Sequence, residues 1–180
     1  MMQVKLFELF DTKEAFDKLL LIFEEETIIK FSNKIIGITY NYTDNSYIDV
    51  LKKVKDLNLR QVINTSTIFI NIINYCVSNS LFINGINFVY PVQEDSIGYL
   101  EDYLQKINSA EGLEKQGNKL KLFKEIDWII SDECIDLRSI SFEFEKEMYT
   151  KVEFFNNGVI LIGNSSVIEE VRNLVRYIYL

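Results

Sequence analysis

The sequence predicts an α+β protein: two pseudo-repeats of β-α-β-β-β-α forming an antiparallel sheet with helices on one face. Three observations carry this. Apolar and polar residues alternate in several short runs, the period-2 signature of strands with one buried face. Val167, Val171, Leu174, Val175 and Ile178 instead recur at helical spacing. The chain also matches itself in pattern, residues 36–51 lying over 140–155 at an offset of 104 and residues 62–77 over 161–176 at an offset of 99. Ile36, Ile38, Tyr40, Ile48 and Val50 then fall on Ile140, Phe142, Phe144, Val152 and Phe154. The repeats are expected at residues 1–83 and 84–180, the second with a helical insertion near 108–131.

The elements follow in order. Val4 and Leu6 alternate with polar neighbours, so a strand is expected over residues 3–10. Asp11 with Glu14 three residues on reads as a helix cap, and Phe16, Leu19, Leu20 and Phe23 as the buried stripe behind it. Residues 27–31 and 35–42 read as strands turned at Ser32-Asn33, and residues 43–46 carry turn chemistry. A strand is expected over 47–51, a charged connection over 52–58 and another strand over 59–64. Propensity favours a strand over 67–77, but alignment with the C-terminal helix makes the segment helical. Asn84-Gly85 opens the second cycle, with a strand over 86–92 and a helix from Ser96 burying Ile97, Leu100, Leu104 and Ile107.

Residues 108–118, with Gly112 and Gly117, read as loop. A helix over 119–130 follows, burying Leu122, Phe123, Ile126 and Ile129. Ile140, Phe142 and Phe144, then Val152 and Phe154, mark two strands; Asn157-Gly158 signals a type I′ turn, and residues 159–162 form a wholly apolar strand. Ser166 and Glu169 are spaced as a capping box for the last helix, with Arg172 and Arg176 towards its negative end.

Composition narrows the chemistry. The 180 residues carry 19 basic against 27 acidic side chains, a net charge of −8, which disfavours general binding to nucleic acid. With no histidine, imidazole-based triads, proton shuttles and the usual zinc sites are excluded. Cys76 and Cys134 lack metal-type spacing and read as reduced core thiols, in keeping with an intracellular, cytoplasmic protein. No signal-peptide core and no run long enough for a bilayer stands out, so no membrane is expected. One proline and abundant Ile, Asn and Lys point to an AT-rich coding genome, viral, archaeal or bacterial. Asp132, Glu133, Asp136, Glu143 and Glu145 are of the type that serves acid/base or hard-metal chemistry, but their spacing fits no such motif and they read as solvated loop and strand. No phosphate-cradling glycine loop is present. The expectation is a non-enzymatic protein without cofactor or metal.

Two tandem strand-helix-three-strand-helix units in a chain of this length resemble the saddle of the TATA-box-binding protein family. Asn87-Phe88-Val89 is similar to the family's first-strand Asn-x-Val, Phe155 stands three residues before Gly158 as a DNA-wedging phenylalanine does, and Gly163 closes the last strand. The resemblance implies a sheet face that reads the minor groove with intercalating rings. Lys5, Leu51 and Ile162 depart from the family's pattern.

Strand alternation puts Ser141, Glu143, Glu145, Lys151, Glu153 and Phe155 on the open face, with Gly37, Thr39, Asn41, Tyr47, Asp49 and Leu51 from the first repeat. Such an acidic face repels phosphates. The expected interaction face is therefore Tyr47, Asp49, Leu51, Asn87, Glu143, Glu145, Glu153 and Phe155, meeting a protein partner of basic or mixed surface in transcription or nucleic-acid machinery. The alternatives are a minor-groove DNA-binding initiation factor, an acidic inhibitor or immunity-type protein, and a sliding-clamp-like protein.

Overall fold

The alternating runs become strands because each can bury one row of side chains while its backbone pairs laterally. A computed structural model describes residues 1–10, 12–41, 46–145 and 149–179. Asp11, the expected cap, and all but Ser46 of the expected turn at 43–46 lie outside the described residues. In chain order the elements are β1 (Met2–Leu9), α1 (Thr12–Leu20), a 3-10 turn (Glu25–Thr27), β2 (Ile28–Lys30), β3 (Ile35–Tyr40), α2 (Tyr47–Val54), β4 (Leu59–Gln61) and α3 (Ser66–Ser78). There follow β5 (Phe82–Phe88), α4 (Glu94–Ser109), α5 (Gly112–Ser131), β6 (Leu137–Glu145), β7 (Tyr149–Phe155), β8 (Val159–Ile162), a 3-10 turn (Ser165–Val167) and α6 (Ile168–Tyr179). The class is α+β with antiparallel pairing, and contacts divide the chain into two compact units, residues 1–64 with 157–180 and residues 65–156.

In the first unit β1 is the central strand. It pairs with β3 from Gln3↔Tyr40 to Glu8↔Ile35, and β2 continues the order beyond β3. Along its other edge two short strands follow one another, β8 against Met2 to Lys5 and β4 against Phe7 to Leu9. The open sheet face that was expected is closed here. Val4 and Leu6 on one face of β1, and Lys5 and Phe7 on the other, are all 0–1% exposed. Gly37, expected on an open face, is buried as well; a Cβ there would lie 2.3 Å from Val4 Cγ1 and 2.7 Å from Phe31 Cε2.

The bend between β2 and β3 forms at Ser32 as its hydroxyl oxygen accepts the Lys34 and Ile35 amides. The apolar stripe of α6 is buried at Val171, Leu174, Val175 and Ile178, each worth about 1.5–3 kcal/mol of apolar transfer. Arg172 and Arg176 donate to the Lys30 and Phe31 carbonyls at 3.0 and 2.9 Å, fastening α6 to the end of β2. Its entry differs from the expected Ser166 box, because Asn164 Oδ1 accepts the Ser166 amide and the helix opens through a 3-10 turn.

The clearest correction is α2. Residues 47–51, expected as a strand, are helical because Ser46 and Asp49 form a reciprocal capping box and Val50 and Val54 are buried one turn apart. The offset-104 self-match therefore sets a helix in the first half against β7 in the second. In the second unit, α4 and α5 are separated only by Ala110 and Glu111 where a loop over 108–118 was expected; Gly112 opens α5 with φ of 55° and Gly117 lies inside it. Asn84-Gly85 does not open the strand expected over 86–92 but lies at a register irregularity inside β5, which runs Phe82–Phe88. The helical reading of 67–77 holds as α3. Cys76 is buried as expected, whereas Cys134 is exposed, with φ of 56°.

Candidate protein-binding face

The second unit's sheet runs β5, β6, β7, and cross-strand register decides which side chains share a face. Ile140, Phe142, Phe144, Val152 and Phe154 are at most 5% exposed and make one face, with Phe142 in edge contact with Phe144 and stacked on Phe154. The other face follows directly. Asn87 stands opposite Ser139 and Ser139 opposite Phe155; Gly85, Ser141 and Glu153 form the next row, Phe82, Glu143 and Lys151 the next, and Glu145 faces Tyr149.

Hydrogen bonds fix this face from below. Asn87 Nδ2 donates to Ser139 Oγ at 3.0 Å, and Ser139 Oγ donates to Glu153 Oε1 at 2.7 Å. Asn84 Nδ2 donates to Glu143 Oε1 at 2.8 Å. Ser139 and Ser141 are short enough to be covered by their neighbours, so the tips that reach outward are those of the longer residues. Phe82 is 50% and Tyr149 65% exposed, Glu145 and Lys151 are exposed, and Glu143, Glu153 and Phe155 are half-buried. The arrangement is three carboxylates and one ammonium flanked by aromatic rings, a surface suited to charge-complementary contact with apolar anchors.

Of the expected interaction residues, Asn87, Glu143, Glu145, Glu153 and Phe155 share this face. Tyr47, Asp49 and Leu51 belong to α2 of the other unit. Asp49 serves the start of its own helix, where Ser46's side chain and then its backbone amide hold the carboxyl below its usual pKa, with smaller help from Lys52 and Lys53. Among the described residues no group of three or more acidic, cysteine or histidine side chains gathers to hold a metal.

Sequence reasoning missed Lys5. It is 0% exposed in the first unit, where it lies at the junction between β8 and β4. Its Nζ donates to Val62 O at 3.1 Å and to Asn157 O, and sits 5.7 and 5.8 Å from the ring centres of Phe7 and Tyr47. Burial lowers its pKa from 10.5 to about 8. Gly158 completes the junction: its φ is 72°, its carbonyl accepts Leu6 N–H at 2.9 Å, and a Cβ on it would lie 2.1 Å from Val62 O. Alternation alone sends Lys5 outward; no local signal marks it, because its acceptors lie 57 and 152 residues away.

Compared with known proteins, the chain matches no family model, no curated protein and no solved structure. Among the described residues no helix is long and apolar enough to cross a membrane.

Proposed function

We propose that the protein is a non-enzymatic macromolecular binding protein that meets a protein partner of basic or mixed surface through the β5-β6-β7 face. One observation supports this above the others: Glu143 and Glu153 are already tied down by Asn84 and Ser139, beside the exposed rings of Phe82 and Tyr149. Carboxylates held in place give up less rotamer freedom on binding, so more of the contact energy is realised as affinity. The same charges oppose a phosphate backbone, which favours a protein over DNA as the partner. The setting in transcription or nucleic-acid machinery rests on the sequence's resemblance to the TATA-box-binding family.

A paired affinity purification tests this, with the wild-type protein and the Glu143→Lys, Glu153→Lys double variant, and Glu14→Lys as a charge control. A basic protein retained by wild type and control and lost by the double variant is the expected result. Retention by all three sinks the reading. A parallel titration with labelled AT-rich duplex separates the DNA alternative: tight binding that weakens steeply with salt would replace the protein partner with DNA.

A further inference from the structure

We propose that the outer edge of β5 beyond Ile83, the residue already engaged by Asn108, accepts an extended, lysine- or arginine-bearing segment of a partner protein as an added strand. This site adjoins the β5-β6-β7 face, with Phe82 and Asn84 common to both, and does not depend on that face's reading.

Among the described residues β5 is the terminal strand of its sheet and pairs with β6 alone. An edge of this kind presents unpaired N–H and C=O groups that another chain can satisfy. At one point the protein itself fills the position. Asn108 of α4 donates Nδ2 to Ile83 O at 2.8 Å and accepts Ile83 N–H on Oδ1 at 2.9 Å, the pair of bonds that a neighbouring antiparallel residue would make. The side-chain amide thus marks the line of an added strand, which would begin past Ile83. Either side of Asn84 the edge opens into two cavities of about 410 and 460 Å³, which share Asn84, Glu101 and Leu104. Both cavities lie between β5 and α4, and Asn108 bridges the two elements at Ile83.

The lining identifies the occupant. Apolar groups stand at the two ends, Phe82 50% exposed in one cavity, Tyr90 68% and Ile97 42% in the other. Glu101 lies at the shared middle, exposed on α4. Of the acidic residues of α4, Glu101 lines both cavities, Glu94 and Asp95 stand in the helix's first turn away from that lining, and Asp102 is engaged by Lys106 at 2.5 Å. A strand entering here meets backbone partners on β5 and negative charge on α4. An extended segment with a basic residue opposite Glu101 and small apolar residues towards the cavities satisfies both, by the strand-addition mode of peptide recognition.

The experiment titrates the full chain into a fluorescein-labelled peptide, Lys-Val-Lys-Thr-Lys-Val-Lys, and follows anisotropy at low salt alongside amide hydrogen exchange over residues 82–90. Three comparisons accompany it: the same peptide N-methylated at alternate residues, a peptide with Glu in place of Lys, and the Glu101→Lys protein. Expected are saturable binding below about 1 mM, slowed exchange along β5, and about tenfold or greater weakening in each comparison. Glu25→Lys with Glu26→Lys, both exposed in the first unit, should leave the affinity within about threefold. Undiminished binding of the N-methylated peptide would show electrostatic adhesion without strand pairing and overturn the proposal. So would loss of binding in the Glu25, Glu26 variant, or absence of saturation. Protection of β5 that rises with protein concentration in the absence of peptide, with a dimer in sedimentation, would assign the edge to a second copy and equally overturn it.

Discussion

Lys5 in the first unit and Glu153 in the second are both charged residues on strands, each held by hydrogen bonds, yet Lys5 is fully buried while Glu153 keeps part of its surface. Lys5 donates to two backbone carbonyls, both of them neutral, so it is charged at the expense of desolvation. Glu153 accepts from Ser139, whose hydroxyl also takes the Asn87 amide, and stays within reach of solvent. The contrast teaches what each cluster is suited to. A buried donor with both acceptors supplied by the backbone closes a seam between strands; a half-exposed carboxylate braced from below remains able to meet something else.

The largest test of that contrast is Gly158→Ala. It adds a Cβ against Val62 O at a residue with φ of 72°, and should lower stability by about 3–4 kcal/mol, read as the shift in urea midpoint at unchanged slope. A shift below about 1 kcal/mol would mean the seam yields easily and the close packing around Lys5 is incidental.

Next is the pH dependence of Lys5. Its folded pKa near 8 lies below the unfolded 10.5, so between these values the unfolded chain binds more protons and stability rises with pH. The gain approaches an order of about 3 kcal/mol across the window. Lys5→Met should abolish it, so the wild-type minus variant difference in unfolding free energy slopes upward from about pH 8 to 10.5 and is flat below. A flat difference throughout would show that Lys5 titrates like a solvated lysine.

In the second unit the effects should be smaller. Ser139→Ala removes the donor to Glu153 and the acceptor of Asn87, costing about 1 kcal/mol in thermal unfolding and loosening the carboxylate that faces the partner. Smallest is Lys106→Ala, which breaks an exposed pair with Asp102 and should move stability by less than about 0.5 kcal/mol. Should Ser139→Ala prove as damaging as Gly158→Ala, the two clusters are alike and the functional distinction between them falls.

How much was legible follows from how local each signal is. The faces of β6 and β7 could be read because alternation there has one meaning: Phe142 and Phe154 need burial and Glu143 and Glu153 resist it. α6 was equally plain from its stripe. α2 was misread because Ile48 and Val50 alternate with Tyr47, Asp49 and Leu51 as a strand would, while Ser46 and Asp49, three apart, already carried the helical signal. The α4–α5 region was misread by weighting Gly112 and Gly117 as breakers; the helix read from residue 119 starts at Gly112, and buried Asn118 extends its row of Leu122, Ile126 and Ile129 one turn back. Neither Lys5 nor Asn108 was legible, since each answers carbonyls or amides brought near only by folding. The expected interaction residues stay together where they share one sheet, and Tyr47, Asp49 and Leu51 fell away with the misread strand.

The placement of β8 has a consequence for synthesis. The first unit draws on residues 1–64 and 157–180, so residues 65–156 are made in between. A nascent chain can set β1 against β3 and β4 early, and Lys5 can reach Val62 O, but neither Asn157 O nor the strand that pairs Met2 to Lys5 yet exists. During that interval β1 carries an unpaired edge and a half-satisfied amine. Vectorial folding therefore favours completing residues 65–156 first, and a translational pause after residue 64 would lengthen the time in which β1 is exposed to mispairing.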